Sequence, residues 1–323
     1  MSTTTQPIES PVKYDPPFRS GDFVECRGWR GRLEPGVNPF GASGRERRIV
    51  ADEFGIEYWY DPTTDIYFAS PRFSQESLNR EYQRATSHID THQFDDFDQA
   101  AWVQAGDRQY QVSRLKVELV SRYIPPGGRI LDVGCHVGLF VMLAREAGFE
   151  SEGIDVSKEA IRVGIERLGV PGLVAGTLEN AGFEPESFDG VVIWDVLEHL
   201  YNLVEVMEHC AAVLRPGGFV FAQVPNHRGI SARLKTLLCR LGVRGRRYRH
   251  FGFPWHLYHF SPVSLRHLAG RVGLDIVDIR SFSHRSKDGR SNRGIVGRFY
   301  GWMERLALSD YLFVVARKPL GVQ

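Results

Sequence analysis

Cysteine is scarce in this chain. Cys26, Cys135, Cys210 and Cys239 are the only four in 323 residues, and they stand far apart with no CxxC pair. That spacing excludes a zinc ribbon and a disulfide framework and favours reduced thiols. Long apolar runs are missing as well, for no stretch reaches the roughly 18 uninterrupted apolar residues that span a bilayer. The opening MSTTTQPIESPVKYDPP has neither a basic n-region nor an apolar h-region, so no secretory signal is expected. A cytoplasmic protein without a membrane partner is the resulting expectation. Charge of one sign is lacking too. Forty Lys and Arg against 39 Asp and Glu leave a formal charge of +1, too little for a global field that would hold nucleic acid. Apolar residues, by contrast, are plentiful at 42%, enough to fill one enlarged domain or two small ones.

Residues 1–20 are rich in Thr, Ser and Pro without periodicity, which predicts a disordered leader. From 21 to 106 the chain reads as a small β-rich cap, in which IEYWYDPTTDIYFASP forms two short strands around Asp61-Pro62-Thr63-Thr64. Asp107 to Ile124 then places Val112, Leu115, Leu119 and Tyr123 at helical spacing before Pro125-Pro126-Gly127-Gly128 stops the helix. From Arg129 strands and helices alternate: RILDV, a helix from Gly138 to Ala147, EGIDV, a helix from Lys158 to Leu168, LVAG, FDGVVIWD, a helix from Leu203 to Leu214, and FVFAQV after the turn Arg215 to Gly218. A basic insertion over 226–260 follows, then a helix from Pro262 to Val272, LDIVDIRSF, a helix near Ile295 to Leu308, and YLFVVARK as a last strand closing the sheet. Such alternation predicts an α/β fold, a doubly wound, mostly parallel sheet over 107–323. No internal repeat is present.

The segment Ile130 to Phe140, ILDVGCHVGLF, carries the strongest chemical signal. Its strand ends at Val133, and Gly134 and Gly138 fall where the chain must turn tightly and admit a ligand to its backbone. A glycine-rich turn of this kind also serves dinucleotides. Here, however, Asp132 lies inside the motif, giving DxGxxxG in place of GxGxxG. Asp155 ends the next strand, where a carboxylate can accept both hydroxyls of an adenosine ribose.

With Phe188-Asp189, the run Trp194 to His199 and Leu214 to Gly218, these motifs resemble the class I, Rossmann-like S-adenosylmethionine-dependent methyltransferases over roughly Asp107 to Lys318. The similarity points to the branch of ubiquinone-biosynthesis O-methyltransferases and of sugar and natural-product methyltransferases. It implies a seven-stranded sheet with a cap and a lid insertion. It further implies that Asp132, Gly134, Cys135, His136 and Gly138 hold the methionine part of the cofactor and Asp155 with Val156 the ribose. Thr177, Leu178 and Glu179 would meet the adenine, and the Trp194-Asp195 backbone the amino group. Two positions depart from the family: His136 replaces a glycine, and Thr177 an aspartate.

Methyl transfer needs alignment of the acceptor and removal of its proton. His256 and His259 in WHLYHFSP, just before a helix start at Ser261-Pro262, are candidate bases, as is His199. Asp195, Glu198 and His199 are spaced to share a face of a helical turn; helix capping and a solvated pair are the plainer reading. The pattern is also similar to metal-dependent small-RNA 2′-O-methyltransferases, which would select Asp195, Glu198, His199 and either His256 or His259. Glu-His-Leu occurs equally in relatives without metal, so a divalent metal is compatible but not favoured.

The insertion holds Arg228, Arg233, Lys235, Arg240, Arg244, Arg246, Arg247 and Arg249 and no acid. Guanidinium forks suit an anionic or nucleotide-linked small-molecule acceptor; a solvated helix from Ile230 to Leu241 with its apolar side on the core is the plainer alternative. Nucleic acid is not favoured, and a homodimer is compatible. The cap aromatics Trp29, Tyr58, Trp59, Tyr60, Tyr67 and Phe68 either line the acceptor site or form the cap's core. O-methylation is the leading expectation, beside N- or C-methylation, a nicotinamide-dependent dehydrogenase and a non-catalytic cofactor-binding module.

Overall fold

A computed structural model describes residues 23–26, 29–51, 56–80, 108–243, 248–252, 255–282 and 308–321. The leader, the stretch 81–107 and the helix expected near Ile295 to Leu308, apart from Leu308 itself, lie outside them. No described helix is long and apolar enough to cross a membrane.

The cap comprises β1 (Phe23–Cys26), β2 (Trp29–Glu34), β3 (Arg47–Ala51), β4 (Glu57–Asp61), β5 (Ile66–Ser70) and β6 (Arg72–Phe73), followed by helical residues 75–80. The predicted hairpin is β4 and β5, antiparallel with Asp61 opposite Ile66. Buried Asp61 ties its turn, accepting hydrogen bonds from Thr63 N at 2.9 Å, Thr64 Oγ1 at 2.7 Å and Ser43 Oγ at 2.7 Å. Burial raises this carboxyl, but those donors outweigh it and hold the pKa down at about 2.

Next come α1 (Arg108–Val120), β7 (Arg129–Val133), α2 (Leu139–Glu146), β8 (Glu150–Asp155), α3 (Lys158–Glu166), β9 (Leu173–Ala175), β10 (Phe188–Trp194), α4 (Leu203–Val213) and β11 (Leu214–Pro225). The chain continues with α5 (Ile230–Arg240), β12 (Tyr258–His259), α6 (Pro262–Arg271), β13 (Asp275–Phe282) and β14 (Tyr311–Arg317). Seven strands form one sheet in the order β13-β14-β11-β10-β7-β8-β9, with β14 alone running against the rest. The expected α/β fold is therefore present. The last strand sits between β13 and β11 rather than at the edge. Helices cover both faces, so the central strand β10 buries Val191, Val192 and Ile193 completely, each contributing roughly 1.5–3 kcal/mol.

Two expected helix faces are corrected. In α1 and the turn after it, the buried stripe is Tyr110, Val117, Val120 and Ile124, whereas Leu115 is exposed. The apolar side of α5 does not lie on the core: Leu234, Leu237 and Leu241 are each more than half exposed, and only Cys239 is buried. Around α5 the chain joins the cap. Cys239, Tyr248 and Phe251 share a core with Leu33, Tyr58 and Phe73, and β12 pairs with β5, Tyr258 opposite Phe68.

Candidate active site

Strand order reverses between β7 and β10, the place where sheets of this class open a crevice. A cavity of about 510 Å³ lies there, lined by Gly134, His136, Asp155, Val156, Thr177, Leu178, Glu179, Trp194 and Asp195. Asp132 and Cys135 line an adjoining cavity of about 480 Å³, which shares Gly134, His136, Trp194 and Asp195 with the first. Gly138 lines neither. The turn itself is left-handed at three places, Gly134 (φ 81°), His136 (φ 54°) and Gly138 (φ 83°). A Cβ at Gly134 would meet Val196 Cγ2 at 2.4 Å, and one at Gly138 would meet Leu173 Cδ1 at 2.8 Å. Both glycines thus serve the turn and the packing behind it.

His136 occupies a conformation that suits glycine, yet its backbone has a use: its N–H donates to Asp155 Oδ2 at 2.9 Å, and Ser157 N–H donates to Oδ1 at 2.8 Å. Backbone therefore clamps Asp155, whose remaining lone pairs are free for a diol. The expected cofactor fits this arrangement.

Several contributors escaped the sequence reading. Gln75, Leu78 and Asn79 of the cap also line the first cavity. Lys116 on α1 faces the second, 3.7 Å from Asp195 Oδ2 and 4.9 Å from the Trp194 ring centre. Burial lowers the Lys116 pKa, while Asp195 and Asp132 oppose that shift. The buried Asp132 carboxyl is pushed up to about 7 by burial against the pull of Lys116, with Asp155 adding to the rise. Gln223 Nε2 completes the group, donating at 2.7 Å to the Asp195 carboxylate.

Asp195, Glu198 and His199 do not share one face of a helix. Asp195 adopts φ 57° and turns toward Lys116 and Gln223, while residues Leu197–His199 form a single 3₁₀ turn. Glu198 points inward, 1% exposed, with Oε2 unpartnered. Burial, with Asp195 adding, pushes its carboxyl well above the usual range. His199 lines the first cavity, its Nδ1 2.7 Å from the Trp255 carbonyl oxygen. An oxygen can only accept there, so Nδ1 carries the proton. Burial lowers the His199 pKa, the Trp255 and Asp195 carbonyls opposing, which leaves a neutral ring at pH 7.

His256 and His259 do not line the first cavity; they face another of about 460 Å³ behind it. The His256 ring centre is 5.0 Å from that of His199 and 5.8 Å from that of His259. His259 is buried against Tyr58 and Phe251. Burial, reinforced by His199, lowers His256 to about 3. Ser261 fixes the end of this loop by capping α6, accepting from Val263 and Ser264 N–H at 3.2 Å and donating to the Asp65 carbonyl. Glu198, His199 and His256 have potential ligand atoms within 4.8 Å of one another; Asp195 and His259 stand outside that group.

Of the basic insertion, Arg228 pairs with Asp65 at 2.6 Å, and Arg233, Lys235 and Arg240 line the 460 Å³ cavity. Arg244, Arg246, Arg247 and the Arg249 side chain lie outside the described residues. Among the described cap aromatics, Tyr67 alone lines that cavity, while Tyr58 and Phe68 are buried in the core and Trp59 packs against the core. Tyr60 hydrogen-bonds Asp65. Trp29 lies in β2, and its burial is not described.

Known proteins agree with this geometry. The chain is 29% identical over 195 residues to the ubiquinone biosynthesis O-methyltransferase of Ralstonia nicotianae, covering 56% of this chain and 77% of that protein. It is 24% identical over 226 residues to the enzyme of the same name from Nitrosospira multiformis, covering 64% and 90%. Among solved structures, the [4+2]-cyclase SpnF superposes with a TM-score of 0.51 at 18% identity, over 77% of this chain and 97% of that one, a likeness of fold. A family model described as Methyltransferase domain matches residues 103–279, more than half of the sequence, and the chain accordingly belongs to the class I S-adenosylmethionine-dependent methyltransferases.

Proposed function

We propose that the enzyme methylates a hydroxyl of a small, anionic or sugar-containing acceptor, with His199 taking up the proton. S-adenosylmethionine, when bound, supplies an electrophilic methyl group on a positively charged sulfur. Asp155 would hold its ribose, Thr177, Leu178 and Glu179 its adenine, the Trp194-Asp195 backbone its amino group and Lys116 its carboxylate. The observation that carries the base assignment is the orientation of His199. This histidine lines the cofactor cavity, and the Trp255 carbonyl holds its Nδ1 proton so that Nε2 is left as the basic atom. His256, beside it, faces the acceptor side, and His259 backs His256 from within the fold. The test is methyl-labelled S-adenosylmethionine with a panel of hydroxylated small molecules, the product being read by NMR. A methyl ether supports the reading, whereas a methylamine or a new carbon–carbon bond overturns it.

One observation favours a second reading. Glu198 Oε2 and His256 Nδ1 are buried without hydrogen-bond partners beside His199, and a divalent cation would satisfy both while acidifying an acceptor hydroxyl. Titration calorimetry with magnesium or manganese checks it: binding abolished in Glu198→Gln supports a metal, and no binding in the unmodified chain removes it.

A further inference from the structure

The 460 Å³ cavity is of small-molecule size. Along α5 its wall carries Arg233, Thr236, Leu237 and Arg240, an i, i+3, i+4, i+7 stripe, with Lys235 beside it. Several arginines elsewhere have a carboxylate, as Arg48 has Glu57, Arg72 has Glu34, Arg129 has Glu152, Arg215 has Asp189 and Arg228 has Asp65, while others bond backbone carbonyls, as Arg145 does Ser151 and Arg317 does Gly217. Arg233, Lys235 and Arg240 have no ion-pair partner among the described residues, although they gather around one cavity. The one carboxylate on its described lining is Asp310. Three fixed positive charges against one negative leave room for two negative charges on a ligand. A phosphate dianion meets that balance, and a single carboxylate does not.

The same lining includes His259, 5% exposed with no hydrogen-bond partner at Nε2, and His256, whose Nδ1 also has no hydrogen-bond partner. Buried polar atoms of this kind are seldom left unmatched. Hydroxyl groups of a ligand would match them. The lining thus offers both cations and unpaired imidazole nitrogens, and of the latter His256 abuts His199, which lines the first cavity.

We propose that this cavity is a phosphate subsite for a phosphorylated, hydroxyl-bearing acceptor, in which Arg233, Lys235 and Arg240 bind the phosphate and His256 and His259 meet hydroxyls. Delivery of a hydroxyl to His199 rests on the methyl-transfer reading above; the phosphate subsite stands without it.

The experiment is titration of the full chain, at low ionic strength and constant chloride, with inorganic phosphate, pyrophosphate and acetate, and separately with S-adenosylhomocysteine. The double variant Arg233→Ala/Arg240→Ala is titrated beside it; both side chains are exposed, so the fold does not depend on them. Phosphate and pyrophosphate are expected to bind the unmodified chain more tightly than acetate and to lose at least about tenfold in the variant, with S-adenosylhomocysteine unchanged. Equal phosphate affinity in the two proteins, or acetate binding as tightly as phosphate, overturns the subsite. Phosphate binding that the variant loses, without any S-adenosylhomocysteine binding, supports the subsite and sinks the methyl-transfer reading instead.

Discussion

At the first cavity two backbone N–H groups clamp Asp155 beside a turn with three left-handed residues, whereas the 460 Å³ cavity gathers Arg233, Lys235, Arg240, His256 and His259 on its lining. The first is drawn largely from strand ends that follow one another within about a hundred residues. The second combines Tyr67 of β5, the end of β11, one face of α5, the loop before α6 and the start of β14. A contact made by backbone, as His136 makes with Asp155, tolerates exchange of that residue's side chain. A side-chain site can change its ligand while the fold stays the same.

The largest effect is expected where the two regions meet. His199→Asn keeps a donor at the Nδ1 position for the Trp255 carbonyl but removes Nε2, the proposed base, and turnover should fall by roughly 10²–10⁴ with S-adenosylhomocysteine affinity within about twofold. Because burial lowers the His199 pKa, the base form is already present at pH 7. Turnover should accordingly be level near neutrality and fall only as pH drops through a value below the ordinary ~6.5; a pH–rate profile of the unmodified enzyme reads this directly.

Asp155→Ala strikes the backbone clamp. It leaves the His136 and Ser157 N–H groups without their acceptor and removes the proposed ribose contact, so cofactor affinity should fall by about 100-fold, on the order of 2–3 kcal/mol. Calorimetry with S-adenosylhomocysteine measures it. A loss below about threefold would remove Asp155 from the ribose site.

Lys116→Met should weaken S-adenosylhomocysteine by roughly tenfold, in line with one charged hydrogen bond. Methylthioadenosine, which lacks the amino acid, should bind both proteins alike; if it loses as much, Lys116 does not hold a carboxylate.

The smallest change is expected at His136→Gly. Since the contact to Asp155 is made by the backbone, cofactor affinity should stay within about twofold, and relief of the left-handed conformation should offset most of glycine's entropic cost, leaving stability within about 1 kcal/mol. A melting curve and a binding titration together decide whether the side chain matters.

The sheet and the cofactor cavity were legible because the alternation of buried strands and helices, and the Asp132 to Asp155 spacing, are local patterns. α1 was legible as a helix but not in its orientation. Its polar residues Gln109, Ser113 and Lys116 face a cavity while Tyr110, Val117 and Val120 face the core, so it has two inward sides and a single apolar stripe misplaces both. Asp195 and Glu198 were grouped because they stand at i and i+3, which share a face in a helix. A left-handed backbone at Asp195 breaks that geometry, and one sequence does not reveal it. The cations of α5 could be counted from the sequence, but that they have no carboxylate partner among the described residues depends on which acids the fold brings near.

The loop before α6 has a further consequence. Ala69 of the cap donates to the Leu257 carbonyl at 2.9 Å, and Leu257 N–H donates to the Glu198 carbonyl at 2.7 Å. One residue thereby links the cap strand to the turn that carries His199. Coupling between the two cavities through this link would be reciprocal, each ligand changing the other's affinity by the same factor.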